Sequence, residues 1–138
     1  MNTIDSFIKT TMGTYINIVW KWDAQSPDFG MAYLRHMTGD TSLLIRGNAI
    51  DWADPEHPDL AQIGTWHPVE SGNPLRGDLC VFNNHMGYGT VGVHRGEVGH
   101  DNLVPVWSQT PGPVREMDLG GKRGRDRLVG WWHLHNAG

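Results

Sequence analysis

Only one cysteine, Cys80, occurs in 138 residues, which excludes an internal disulfide and any zinc centre built mainly on thiolates. Positive charge is scarce as well: 11 Lys and Arg against 15 Asp and Glu leave a formal charge of −4. A chain so balanced has no general pull toward nucleic acid, an acidic lipid surface or an anionic wall polymer, so any such contact must be local. Long apolar runs are missing. None comes near the roughly 18 residues that a membrane span requires, and the segment Met1 to Met12 lacks both the basic start and the apolar stretch of a signal peptide. The expectation is a protein made in a cytoplasm that stays out of the membrane. There is no internal repeat, coiled-coil heptad or low-complexity tail.

Turn formers, by contrast, are plentiful. Eighteen Gly and 8 Pro suit short strands joined by tight turns better than a helical bundle. At 138 residues and 38% hydrophobic, residues 1–138 are expected to form one domain with a real core and no room for a second. Asn2 or Thr3 caps a predicted helix in which Ile4, Phe7 and Ile8 recur at helical spacing before Gly13 stops it. Ser26, Pro27 and Asp28 open a second, with Met31, Leu34 and Met37 on one face and Gly39 at its end. Residues 47–59 hold Asp51, Asp54, Glu56 and Asp59 and two prolines, which reads as a surface loop. Strand patterns cover Thr65 to Val69, Asp78 to Phe82, Thr90 to His94, Leu103 to Trp107 and Arg127 to His133. Helices first and antiparallel strands after predict an α+β domain, with two or three N-terminal helices packed on a small antiparallel sheet.

Several segments, in order, resemble the CHAP domain, the NlpC/P60-like cysteine amidase and endopeptidase domain of phage endolysins and bacterial autolysins. Gly13-Thr14-Tyr15-Ile16 is similar to the family's Gly-x-Tyr-hydrophobic lead, and Gly47-Asn48-Ala49-Ile50-Asp51-Trp52 to its Gly-Asn-Ala-x-x-Trp segment. Arg76-Gly77-Asp78-Leu79-Cys80-Val81-Phe82 resembles the Gly-Asp-hydrophobic strand, and Gly89-Thr90-Val91-Gly92-Val93 the strand that supplies the histidine. Val106-Trp107-Ser108-Gln109-Thr110 falls where an acid-Gln-Asn sequence ends a strand, and Gly130-Trp131-Trp132-His133 matches the closing strand. The resemblance implies a papain-like fold and spans Thr3 to His133.

Carried over residue by residue, the resemblance sets Phe29-Gly30 on the Gln-Cys pair that opens the second helix, Thr90 on the histidine and Ser108 on the orienting acid. Thiol hydrolysis needs a thiolate, an imidazole to generate it and a polar group to orient that imidazole. Gly30 has no side chain, Thr90 takes no proton near neutral pH and Ser108 brings no charge. Asn17, Val19 and Trp20 stand where some members bind calcium, and Val19 offers no oxygen ligand. The resemblance therefore implies a pseudoenzyme without cofactor; Cys80, inside an apolar strand run, reads as a core thiol.

Other chemistry is weaker in the sequence. His133 and His135 alternate on a strand and so share a face, but the reading is a surface pair and not a metal centre. Lys122, Arg123, Arg125 and Arg127 form a basic cluster in a turn, suited to an acidic neighbour or simply solvated. Seven tryptophans are many for this length. Trp107, Trp131 and Trp132 lie on strand patterns and read as core, whereas Trp52 and Trp66 sit by loops and are taken as exposed anchors for a partner or glycan. The expected role is a catalytically inactive component of a bacteriophage virion, in tail tip, baseplate or capsid surface. Its partners would be other virion proteins, with host peptidoglycan as a further candidate and nucleic acid not expected. The alternative is a lysin that binds or hydrolyses the peptidoglycan of a Gram-positive host.

Overall fold

The computed structural model describes residues 3–18, 25–83, 87–99, 103–109, 112–120 and 127–135. Helix α1 runs Ile4–Thr11, with the Thr3 hydroxyl accepting from the Ser6 N–H at 3.1 Å and Phe7 buried. Helix α2 runs Ser26–Thr38. Gln25 is its N-cap, Pro27 occupies the first turn, where its missing N–H costs nothing, and Gly39 ends it at φ 77°. Its buried residues include Phe29, Gly30, Met31, Tyr33 and Leu34.

Six strands follow: β1 Gly64–Pro68, β2 Leu79–Asn83, β3 Thr90–His94, β4 Val104–Ser108, β5 Arg115–Leu119 and β6 Arg127–Leu134. They form one sheet in the order β1-β6-β2-β3-β4-β5, with every pairing antiparallel. α2 packs chiefly on β3. Strand side chains alternate between faces, so two apolar clusters arise. Leu79, Val81, Val91, Val93, Trp107 and Trp132 join Phe7, Phe29, Tyr33 and Leu34 on the helix side. Cys80, Phe82, Val104, Val106, Leu128 and Trp131 gather on the opposite side. Among the described residues no helix is long and apolar enough to cross a membrane.

The α+β expectation matches this mixture of helices and antiparallel sheet, with two differences. Residues 47–59 are not a plain surface loop. Ala49–Ala53 forms a 3-10 turn that buries Ala49 and Trp52, and Leu60 is buried just beyond it. Strand β5 carries no apolar run in the sequence, because its inward positions are half-buried and its outward ones are Glu116 and Asp118. An outermost strand has no need of the apolar signature that marks central strands.

Candidate functional site

The tryptophans divide unlike the expectation. Trp52, taken from the sequence as an exposed anchor, is fully buried. Its ring lies against α2, where a Cβ on Gly30 would come within 2.8 Å of Trp52 Cζ3, and its carbonyl accepts the Trp132 indole N–H at 2.7 Å. Polar neighbours in the sequence hid it because the 3-10 turn tucks this one residue inward. Trp66 is half-buried, its ring 5.5 Å from that of Trp132. Gly130 leaves space for it, since a Cβ there would run into the Trp66 ring and the His67 carbonyl. Arg127 is exposed at the start of β6, while Lys122, Arg123 and Arg125 lie outside the described residues, as do Val19 and Trp20 of the calcium comparison.

Gly30, Thr90 and Ser108 all meet at Val91, but their positions do not share a face. Gly30 sits in the second turn of α2, wedged between Trp52 and Val91 Cγ2, which a Cβ would approach to 3.0 Å. It does not open the helix. Thr90 pairs with Phe82 across the β2–β3 ladder, and cross-strand partners point the same way. Thr90 thus shares the face of the Phe82 cluster, turned from α2. Ser108 is fully buried and donates its hydroxyl hydrogen to the Val91 carbonyl at 2.7 Å. Trp107 belongs to the helix-side cluster, so alternation carries Ser108 to the other face.

The groups that do face the start of α2 are others. The pair opening the helix is Gln25-Ser26. Ser26 is 2% exposed, and its Oγ accepts the Val91 N–H at 3.1 Å. Gln109, the residue after β4, reaches across to the same spot: its Nε2 donates to the Gln25 carbonyl at 2.9 Å and to the Ile16 carbonyl at 2.6 Å. Gly89 lies opposite at φ 79°, where a Cβ would sit 2.5 Å from the Ile50 nitrogen. That close approach accompanies the Ile50 N–H to Tyr88 carbonyl bond of 2.8 Å, and it explains why glycine is required there. Gln25, Ser26, Pro27, Asn48, Ala49, Tyr88 and Gly89 line a cleft of about 470 Å³. Tyr88 stands 60% exposed at its rim. The signal that could have found this site was the dipeptide Gln25-Ser26 itself, one side-chain atom away from Gln-Cys.

No carboxylate, imidazole, amine or thiol lies among the described lining residues of this cleft. The described histidines are engaged elsewhere. His36 lies on Ser6, His57 on the Arg46 carbonyl, His94 Nδ1 accepts from Gly96, His133 meets Asp78, His135 meets Thr65 and His67 stacks on Trp131. His85 and His100 lie outside the described residues. Cys80 is fully buried on the far face, and burial, with Asp78 adding, pushes its thiol well above the ordinary range. A raised thiol is a poor nucleophile. Among the described residues no three His, Cys, Asp or Glu side chains are grouped to hold a metal ion.

Among the described residues, the far face carries an ionisable pair, Asp78 with His133. Asp78 is 2% exposed; its Oδ2 accepts the Leu75 N–H at 2.8 Å, and its Oδ1 takes the His133 Nδ1 hydrogen at 2.7 Å. Two acceptor contacts satisfy a carboxylate that burial alone would penalise. Burial, followed by the Asp78 charge, raises the Tyr33 phenol, which donates to the Gly77 carbonyl at 2.7 Å. Burial lowers the His94 imidazole.

The fold, two helices with an antiparallel sheet, is similar to that of a solved endolysin. The crystal structure of that protein, the wild-type endolysin LysIME-EF1, matches with a TM-score of 0.70 at 15% identity, over 94% of this chain. The chain spans 61% of that protein's length. No family profile and no curated protein sequence matches the chain.

Proposed function

We propose that this chain is a non-cleaving, endolysin-fold protein that holds an uncharged stretch of cell-wall peptide in the cleft at the start of α2. One observation carries it: the cleft persists, with Ser26 at the head of the helix and only neutral groups among its described lining residues. Among the described lining residues, an alcohol whose oxygen accepts the Val91 N–H has no base beside it to remove its proton, so the site is read as offering shape and hydrogen bonds without a nucleophile. Asn48, the Gln25 amide and exposed Tyr88 supply the kind of contacts that orient a neutral ligand in a largely apolar cleft. With no formal charge among the described lining residues, binding is expected to be insensitive to salt.

The test is sedimentation of the full chain with purified Gram-positive peptidoglycan, with muropeptide release followed in the same tubes. Binding without release is expected, and Tyr88→Ala together with Asn48→Ala should weaken it by about tenfold, the loss of roughly one good contact. Release that survives in Cys80→Ser would overturn the inactive assignment at the cleft, and release that vanishes there would make Cys80 the nucleophile. A chain that fails to sediment, yet occurs at fixed stoichiometry in gradient-purified phage particles, would replace wall binding with a purely structural role in the virion.

A further inference from the structure

The cleft wall formed by Gln25 and Ser26 is fixed from behind by one side chain. Gln109 is fully buried. Both of its amide hydrogens are used, one on the Ile16 carbonyl at 2.6 Å and one on the Gln25 carbonyl at 2.9 Å, and its Oε1 accepts the Ile16 N–H at 2.9 Å. The Ile16 N–H can only donate, so the amide cannot be turned over without placing hydrogens against a hydrogen. Asp28 completes the tie: its carboxylate accepts the Ile18 N–H at 3.1 Å and the Gln25 N–H at 3.0 Å. Further back, Gly13 N–H donates to the Val114 carbonyl and Val114 N–H to the Thr14 carbonyl, each at 2.8 Å. Residues 13–18 therefore form a strap lashed at three points to the sheet end and to the head of α2.

We propose that Gln109 is the positioning residue of the cleft: it locks the strap and the N-cap of α2 in one arrangement, so that the Gln25–Ser26 wall is formed before any ligand arrives. The functional consequence rests on the wall-binding role proposed above; the positioning itself does not. Gln109 is fully buried and is not among the described lining residues of the cleft. It acts through Gln25, whose carbonyl it holds, and Gln25 lines the cleft. A pre-formed wall lowers the ordering cost of binding.

Gln109→Glu tests this in the full chain. The ionised carboxylate would face two carbonyl oxygens, whereas the protonated acid can again donate to one of them. Hydrogen exchange of the Ile16, Gln25 and Val91 amides is measured first. At about pH 7.5, well above an ordinary glutamate pKa of ~4.3, these amides should exchange at least about tenfold faster in the variant, with Val81 in β2 unchanged. Peptidoglycan sedimentation should fall by at least about tenfold at the same pH and recover toward the wild-type ratio near pH ~4. Gln109→Met, neutral and of similar length, should show the fast exchange with no recovery in acid, and it serves in place of Gln109→Glu should that variant fail to fold. Local exchange unchanged in both variants overturns the positioning role, whatever the binding result. A wild-type chain that does not bind peptidoglycan, with exchange changed as described, removes the wall ligand and leaves Gln109 as the residue that sets the cleft.

Discussion

On the face that receives α2, polar side chains serve the main chain around a cleft: Ser26 accepts from Val91, Gln109 clasps Ile16 and Gln25, and Asp28 takes two further N–H groups. On the opposite face, Asp78 and His133 pair with each other, Ser108 folds back on the next strand and Cys80 is sealed among apolar neighbours. The first set is neutral apart from Asp28 and borders open space. The second holds the ionisable groups and borders packed side chains. In a sheet, a shift of one residue exchanges these two settings completely. Thr90 and Ser108 resemble triad positions in the sequence, but the residues on the cleft side are Gly89 and Gln109.

The contrast breaks most visibly at the tryptophans. Trp52→Ala should cost about 3–5 kcal/mol in urea unfolding, since it empties a fully buried ring site and disturbs the acceptor of the Trp132 indole. Trp66→Ala, at a half-buried ring, should cost about 1–2 kcal/mol. Equal shifts in the two midpoints would mean that Trp52 is no more a core residue than Trp66.

A thiol placed on either candidate position sharpens the comparison within α2 itself. In a Cys80→Ser background, Ser26→Cys should react with iodoacetamide at least about tenfold faster than Gly30→Cys near neutral pH, because the head of a helix favours thiolate and the cleft admits the reagent. At Gly30 the new side chain is driven into Trp52 and Val91, so that variant should also unfold at lower urea. A faster Gly30→Cys would restore Gly30 as the position matching the endolysin nucleophile.

How much of this was legible beforehand follows the kind of signal involved. α2 was readable from Ser26 to Gly39 because caps and breakers are local, and β3 from Thr90 to His94 because central strands are uniformly apolar. The cleft was not readable. Matching motifs fixes which residues are neighbours in sequence, but the face each one presents depends on strand phase, and Gly30 stands one turn beyond Ser26, which opens the helix and lines the cleft. Trp52 was misjudged for a related reason: the acidic, proline-containing company of residues 47–59 describes the average exposure of a segment, and a 3-10 turn buries single members of it. β5 went unseen because charge alternation, not hydrophobicity, is the mark of an outer strand.

The smallest expected effect belongs to the far face. Burial lowers the His94 imidazole below its ordinary value of 6.5. The unfolded chain therefore binds the proton more readily, so the His94 contribution is fully present above about pH 6.5 and declines as pH falls toward the folded value. His94→Asn, which keeps an acceptor for the Gly96 N–H, should flatten the loss of thermal stability between about pH 7 and pH 5 by a degree or two. A loss equally steep in the variant would assign the acid sensitivity of this window to groups other than His94; Asp59, whose carboxyl is lowered chiefly by its bond with Arg46, gives up its contribution only below about pH 4.

Strand β5 ends the sheet, and an unpaired strand margin is a template on which another chain can build. Among the described residues, two features lie along this margin. Glu116 and Asp118 project outward along it, and at its upstream end Val114 spends both of its main-chain groups on Gly13 and Thr14 of the strap. The strap thus covers the main chain just upstream of the outermost strand. Whatever loosens it at Ile16 frees the Val114 groups at the same stroke, so damage to the cleft and a tendency to self-associate should arrive together in one chain.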